Sequence, residues 1–141
     1  MVSEARHGRL RRLFAILTAF AALASGWEAY AQHLRGAYDH WLMWTPVALT
    51  PPMVLAAGAS LVSGRLGRAL LPWLSILVLI DGVVGFVVHV RGVGRLPGGF
   101  RMAVYNTTMG PPIFAPLFFL IVGFLGLLAS ALRPERFRRL A

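Results

Sequence analysis

Charged residues cut the chain into four long apolar blocks. Leu13–Leu34 spans 22 residues with Glu28 the only acid and His33 the only histidine; Trp41–Gly64 spans 24 with no charge. Ala69–Val90 spans 22, interrupted by Asp81 and His89, and Met102–Leu132 spans 31 with no charge. Each block reaches the ~20 residues a helix needs to cross ~30 Å of hydrocarbon at ~1.5 Å per residue. A transmembrane β-barrel would alternate apolar and polar positions in segments of ~10 residues, and these runs are continuous. Gly110-Pro111-Pro112 delays the last helix. The pattern predicts helices near 12–33, 44–64, 69–91 and 112–133. The expected fold is all-α: residues 1–141 form one transmembrane domain, an integral membrane four-helix bundle.

Composition agrees with this reading and narrows it. Apolar residues make up 57% and charged residues only 13%. A soluble domain carries about twice that charge, and a disordered chain has low hydrophobicity. With no cysteine, the chain has no disulfide, thiolate metal site, iron–sulfur cluster or covalently attached haem. The net charge of +9 comes from arginine alone, without lysine. In a soluble protein that excess would suggest nucleic acid. Here the arginines flank apolar blocks, where they set topology and meet anionic lipid, so nucleic acid is not the expected partner.

Arg6, Arg9, Arg11, Arg12, Arg65, Arg68, Arg133, Arg136, Arg138 and Arg139 fall on one side of the expected membrane, and Arg35, Arg91, Arg95 and Arg101 on the other. The arginine-rich side is inside. Both termini are therefore expected in the cytoplasm of a bacterial inner membrane. Trp27, Tyr30, Tyr38, Trp41 and Trp44 cluster at the outer end of the first hairpin as an interfacial aromatic belt. A cleaved signal peptide ending near Ala29-Tyr30-Ala31 is the rival account of the N-terminus. It would cut through one copy of an internal repeat.

That repeat appears when Ser25–Gly36 is set against Asp81–Gly92 without a gap. Both read Gly-x-x-small-aromatic-x-x-His-x-Arg-Gly: Gly26 meets Gly82, Tyr30 meets Phe86, His33 meets His89 and Arg35 meets Arg91. Each segment is followed by a loop and then Met-x-x-Pro, as Met43 with Pro46 and Met109 with Pro112. The expectation is two parallel two-helix repeats, 12–64 and 69–133, related by a pseudo-two-fold axis along the membrane normal. The second loop is longer and carries Gly92, Gly94, Gly98 and Gly99, so it is flexible or tightly turned.

The repeat singles out the candidate chemistry. His33 and His89 emerge at equivalent helix ends, where two imidazoles suit the axial positions of a b haem, a shared metal or a quinone. Arg35 and Arg91 would then pair with propionates or a quinone-site anion. The plainer account keeps these residues in the headgroup layer, with Gly36 and Gly92 ending their helices. Asp81 lies thirteen residues past Arg68, about 20 Å into the third helix. A carboxyl at that depth must find a partner or stay protonated. Gly85 and His89 follow on nearly the same face, giving a polar track toward the outer surface; the packing alternative gives Asp81 a bond to Ser75, Thr50 or backbone. Glu28, Asp39 and His40 share the outer end with His33 as further metal-ligand candidates. Asn106-Thr107-Thr108 matches a glycosylation sequon. Pro51-Pro52 and Pro116 are expected to bend their helices, and Gly82, Gly85, Gly123 and Gly126 to mark close helix approach.

No phosphate loop, nucleophile elbow or zinc-protease pattern occurs. The sequence therefore points to a small non-catalytic membrane subunit with a paired-histidine outer site for b haem or quinone, working with other membrane or extracytoplasmic subunits. A proton-coupled transporter using Asp81 is the second reading, and a structural partner-binding protein without cofactor the third.

Overall fold

The computed structural model describes residues 2–62 and 65–132, and among them it is entirely helical, with no strand. Helix α1 covers Val2–Arg35, a 3-10 turn covers Trp41–Trp44, α2 covers Thr45–Leu61 and α3 covers Arg65–Arg95. A second 3-10 turn at Gly99–Met102 leads into the short α4, Ala103–Met109, and α5 covers Ala115–Ala131. Three segments, Ala5–Arg35, Trp41–Leu61 and Arg65–Arg95, are long and apolar enough to cross a membrane. These three helices fit a membrane protein. The fourth apolar helix, α5, is shorter at 17 residues. Its start falls at Ala115, not Pro112: Pro116 occupies its first turn, and Pro111-Pro112 belong to the lead-in. Pro112 of the Met-x-x-Pro pattern lies before α5 begins, whereas Pro46, like Pro116, stands in the first turn of its helix. A missing N–H costs nothing at that point of a helix. Arg133, Arg136, Arg138 and Arg139 lie outside the described residues.

The two histidine-bearing helices end differently. Helix α1 stops at Arg35, and the chain reverses through Ala37 and Tyr38 at φ 55° and 50°. Helix α3 runs past Gly92 to Arg95. Gly92 is needed there for space, not for termination: a Cβ on it would lie 2.8 Å from the Pro111 ring. The glycine-rich connection is tightly turned. Asn106, 2% exposed, donates its side-chain amide to the Pro97 carbonyl at 3.1 Å and the Gly99 carbonyl at 2.9 Å. The nitrogen that a glycan would modify is thus a buried clamp, which removes the sequon reading.

Helix α1 packs on α2 and α5, and α3 packs on the same two, so α1 faces α3 across a diagonal. The contact faces combine a few larger side chains, Met53, Leu71, Val78, Phe119 and Val122, with many small residues. Ala15, Ala22, Ala56, Ala57, Gly82, Gly123, Gly126 and Ala129 are buried, while Phe20, Leu55, Trp73, Ile80 and Phe124 point outward. Small residues let helix backbones approach closely where lipid supplies the apolar surroundings. A Cβ on Gly123 would lie 2.7 Å from the Ser75 carbonyl oxygen, and one on Gly82 3.0 Å from the Leu120 backbone nitrogen. Buried hydroxyls bond back within their own helices: Thr18 donates to Phe14, Ser75 to Leu71 and Ser130 to Gly126. These three hydroxyls therefore need no partner from outside their own helices. Helix α2 remains helical through Pro51 and Pro52.

Candidate functional site: a histidine-lined cavity

The ends of α1 and α3 and the beginnings of α2 and α5 enclose a cavity of about 870 Å³. On α3, Asp81, Gly85, His89 and Gly92 recur at helical spacing, so one face of the helix lines one wall. The last three turns of α1 bring Ser25, Ala29, Gln32 and His33 to the opposite wall. Thr45 and Pro46 close one side; the Met109–Pro112 lead-in, Pro116 and Phe119 close the other. The surface is mainly apolar, with polar groups at a few points. His33, His89 and Asp81, distant in sequence, line the same space.

His89 is held by Nδ1, which lies 2.8 Å from the Pro112 carbonyl oxygen. A carbonyl accepts only, so Nδ1 carries the hydrogen, and Nε2 takes no part in that bond. Metal-bound histidines are oriented in the same way, through the ring nitrogen that does not ligate. His33 differs. Its Nδ1 is buried without a hydrogen-bond partner. The ring rests edge-on against Tyr38, with centroids 6.1 Å apart. Both therefore retain an uncommitted ring nitrogen.

Asp81 receives its partner from α2. Thr45 Oγ1 lies in hydrogen-bond contact with Asp81 Oδ1 and 2.9 Å from the Leu42 carbonyl oxygen. Thr45, not Ser75 or Thr50, is thus the answering group. Along α1, Gln32 donates to Glu28 at 2.6 Å, and Arg35 reaches Gln32 at 3.5 Å. His40 lines the cavity while its Nδ1 accepts the Leu42 N–H at 3.2 Å.

Arg35 lines the cavity, but Arg91 is exposed and does not; Arg95 does. Two residues on a continuous helix turn about 200°, so Arg91 leaves the side of α3 that carries His89. Arg35 escapes this because α1 ends there. Asp39 is exposed and outside the cavity. Among the described residues no three of histidine, cysteine, aspartate and glutamate come together as a metal cage, so the metal site suggested by Glu28, Asp39 and His40 does not assemble. Thr45, Gln32, Arg95 and the Pro112 carbonyl were not singled out by the sequence. Of these, only Arg95 had a legible signal, a helical spacing from Asp81, hidden by the expectation that α3 stops before it. No protein family, curated protein or solved structure matches the chain.

Proposed function

We propose that the chain is a small non-catalytic accessory subunit of a bacterial inner-membrane electron-transfer complex, with an outward cavity that binds a quinone. The observation that carries this reading is the joint lining of one mainly apolar cavity by His33, His89 and Asp81. Ligand sites of this size combine apolar walls with a few polar groups that fix orientation. A quinone has that division itself, an isoprenoid tail and a ring whose oxygens exchange hydrogen bonds. The arginine distribution supports both termini inside and the cavity opening outside. Other membrane or extracytoplasmic subunits would supply the redox chemistry.

A four-helix bundle of two parallel repeats underlies this reading. A shift of 56 positions takes the buried Ala15, Ala22 and Gly26 of α1 to the buried Leu71, Val78 and Gly82 of α3. A shift of 70 takes the buried Pro46, Met53, Ala56 and Ser60 of α2 to the buried Pro116, Gly123, Gly126 and Ser130 of α5. Gly26 faces Thr50, four past Pro46, and Gly82 faces Leu120, four past Pro116. These parallels favour duplication of a hairpin about an axis between α1 and α3, the geometry that brings His33 and His89 together.

The uncommitted nitrogens of His33 and His89 favour a second reading, in which the same pair holds a b haem. Arg35 and Arg95 would then meet the propionates, and the haem would supply one-electron transfer. Protein purified in mild detergent with its native partners decides between the two. Extractable quinone without a haem Soret band supports the first reading. A b-type spectrum lost in His33→Ala and His89→Ala, and kept in His7→Ala, supports the second. A colourless preparation that holds neither quinone nor haem overturns both.

A further inference from the structure

The second connection carries an exposed apolar surface of its own. Asn106 is the one buried residue of α4. Phe100, Met102, Val104 and Tyr105 are between 48% and 84% exposed. With Arg101 and Thr108 they line a shallow groove of about 540 Å³. Contiguous apolar surface of this kind is uncommon where a protein meets water. The level of the segment follows from α3. Ala69–Val90 places 22 residues between Arg68 and Arg91, about 33 Å of helix, which matches the hydrocarbon thickness. Helix α3 then continues to Arg95. The Phe100 ring packs beside Gly94 in the last turn of α3, where a Cβ would meet it at 2.9 Å, and Gly110 packs beside the Leu96 side chain. The segment thus leaves and rejoins the bundle at one level, and α4 runs across the end of the bundle. That level is about 5 Å past Arg91, inside the headgroup layer.

We propose that the second 3-10 turn and α4 form an interfacial foot that binds phospholipid in the leaflet at the cavity end, with an acyl chain along the groove and a phosphate at Arg101. The charges favour this occupant. Between Gly82 and Leu132 the chain holds no acid, and its charged residues there are Arg91, Arg95 and Arg101, all exposed. A layer of phosphates answers such a set of cations, and the acyl chains beneath it answer the apolar side chains. Helices that lie in the membrane surface join an apolar face to basic residues in the same way. Tyr105 adds a ring with a polar tip, a side chain enriched at this depth. The inference concerns a surface apart from the histidines and holds whatever the cavity binds.

The absence of cysteine makes a direct test possible, because a spin label goes only where a cysteine is introduced. Full-length Val104→Cys and Tyr105→Cys are labelled in nanodiscs of phosphatidylethanolamine and phosphatidylglycerol. Collisions of the label with oxygen, which concentrates in lipid, are compared with collisions with a water-soluble nickel chelate. Ile80→Cys, on an outward face of α3, gives the lipid standard, and Arg6→Cys, near the start of α1, gives the water standard. The oxygen-to-nickel ratio at 104 and 105 should be several-fold above the water standard and below the lipid standard. Arg101→Glu sets a carboxylate against phosphate and should lower the ratio at both labels. A ratio at the water standard overturns the proposal; if the labels then become shielded in native membranes, a protein partner covers the patch instead. Few collisions with either reagent show a second copy of the chain over the patch and overturn it too. Ratios unmoved by Arg101→Glu overturn the phosphate contact.

Discussion

The two connections that close the cavity start from the same motif and reach different structures. The first, from Gly36 to Trp44, is short and aromatic. Tyr38 stacks on Trp44 with ring centroids 4.1 Å apart and sends its hydroxyl to the Tyr30 carbonyl at 3.1 Å. It gives His33 an aromatic neighbour and leaves Nδ1 unpaired. The second, from Leu96 to Phe114, is longer, contains α4, and is clamped by Asn106 and by Gly92 against Pro111. It reaches back to His89 with the Pro112 carbonyl. The surroundings of each histidine ring are therefore set by its connection and not by the His-x-Arg-Gly motif the helices share. One shared motif thus ends in two different ring environments because the segments that follow it differ.

The largest expected effect tests whether the two hairpins are packed alike. In Gly26→Ala the new carbon lies 2.6 Å from the Cβ of Thr50, which is tied to its own helix backbone, so α1 and α2 must part. A loss of about 3 kcal/mol is expected. Gly82→Ala meets the end of the Leu120 side chain at 2.8 Å, which can turn aside, and the Leu120 backbone nitrogen at 3.0 Å, which needs only a small shift, so about 1–2 kcal/mol is expected. Denaturant unfolding in detergent measures both, and an equal or larger loss in Gly82→Ala breaks the ranking. Next is Asn106→Ala, which leaves the Pro97 and Gly99 carbonyls unanswered and costs about 2 kcal/mol. Amide exchange should speed up over 96–110 and stay unchanged over 36–44; equal acceleration of both connections would show that they are not independent. Tyr38→Ala removes the stack on Trp44 and costs about 1 kcal/mol. Trp44 emission should shift toward that of a hydrated indole, and an unmoved spectrum argues against the stack. Smallest is Ala37→Gly. A left-handed alanine at φ 55° is strained and glycine is not, so a gain of about 0.5 kcal/mol is expected after the greater chain entropy of glycine is subtracted. A fall in melting temperature would contradict it.

Much of the helical architecture was legible because the signal is long: apolar runs without charge occur here for few other reasons. The limits of the helices were less legible. The sequence marks where hydrocarbon ends, whereas a helix continues until its backbone finds other bonds, which is why α3 passes Gly92 and α1 begins near Val2. The site was half legible. His33, His89 and Asp81 stood out because polar groups in apolar blocks are costly and few. Thr45 did not, since a threonine before a proline reads as a helix start. The Pro112 carbonyl carries no side-chain signature at all. Arg91 was drawn in by symmetry and excluded by the turn of the helix.

The apolar outer faces of α1, α2, α3 and α5, with small residues at many of their contacts, have a thermal consequence. The large heat capacity change of unfolding comes from apolar groups meeting water. In a bilayer, parting these helices hands Ala22, Gly82 and Gly126 from one hydrocarbon neighbour to another. The heat capacity of that separation is then close to zero, and its free energy runs nearly straight with temperature. Such an assembly has no temperature of maximum stability within the liquid range and does not come apart on cooling.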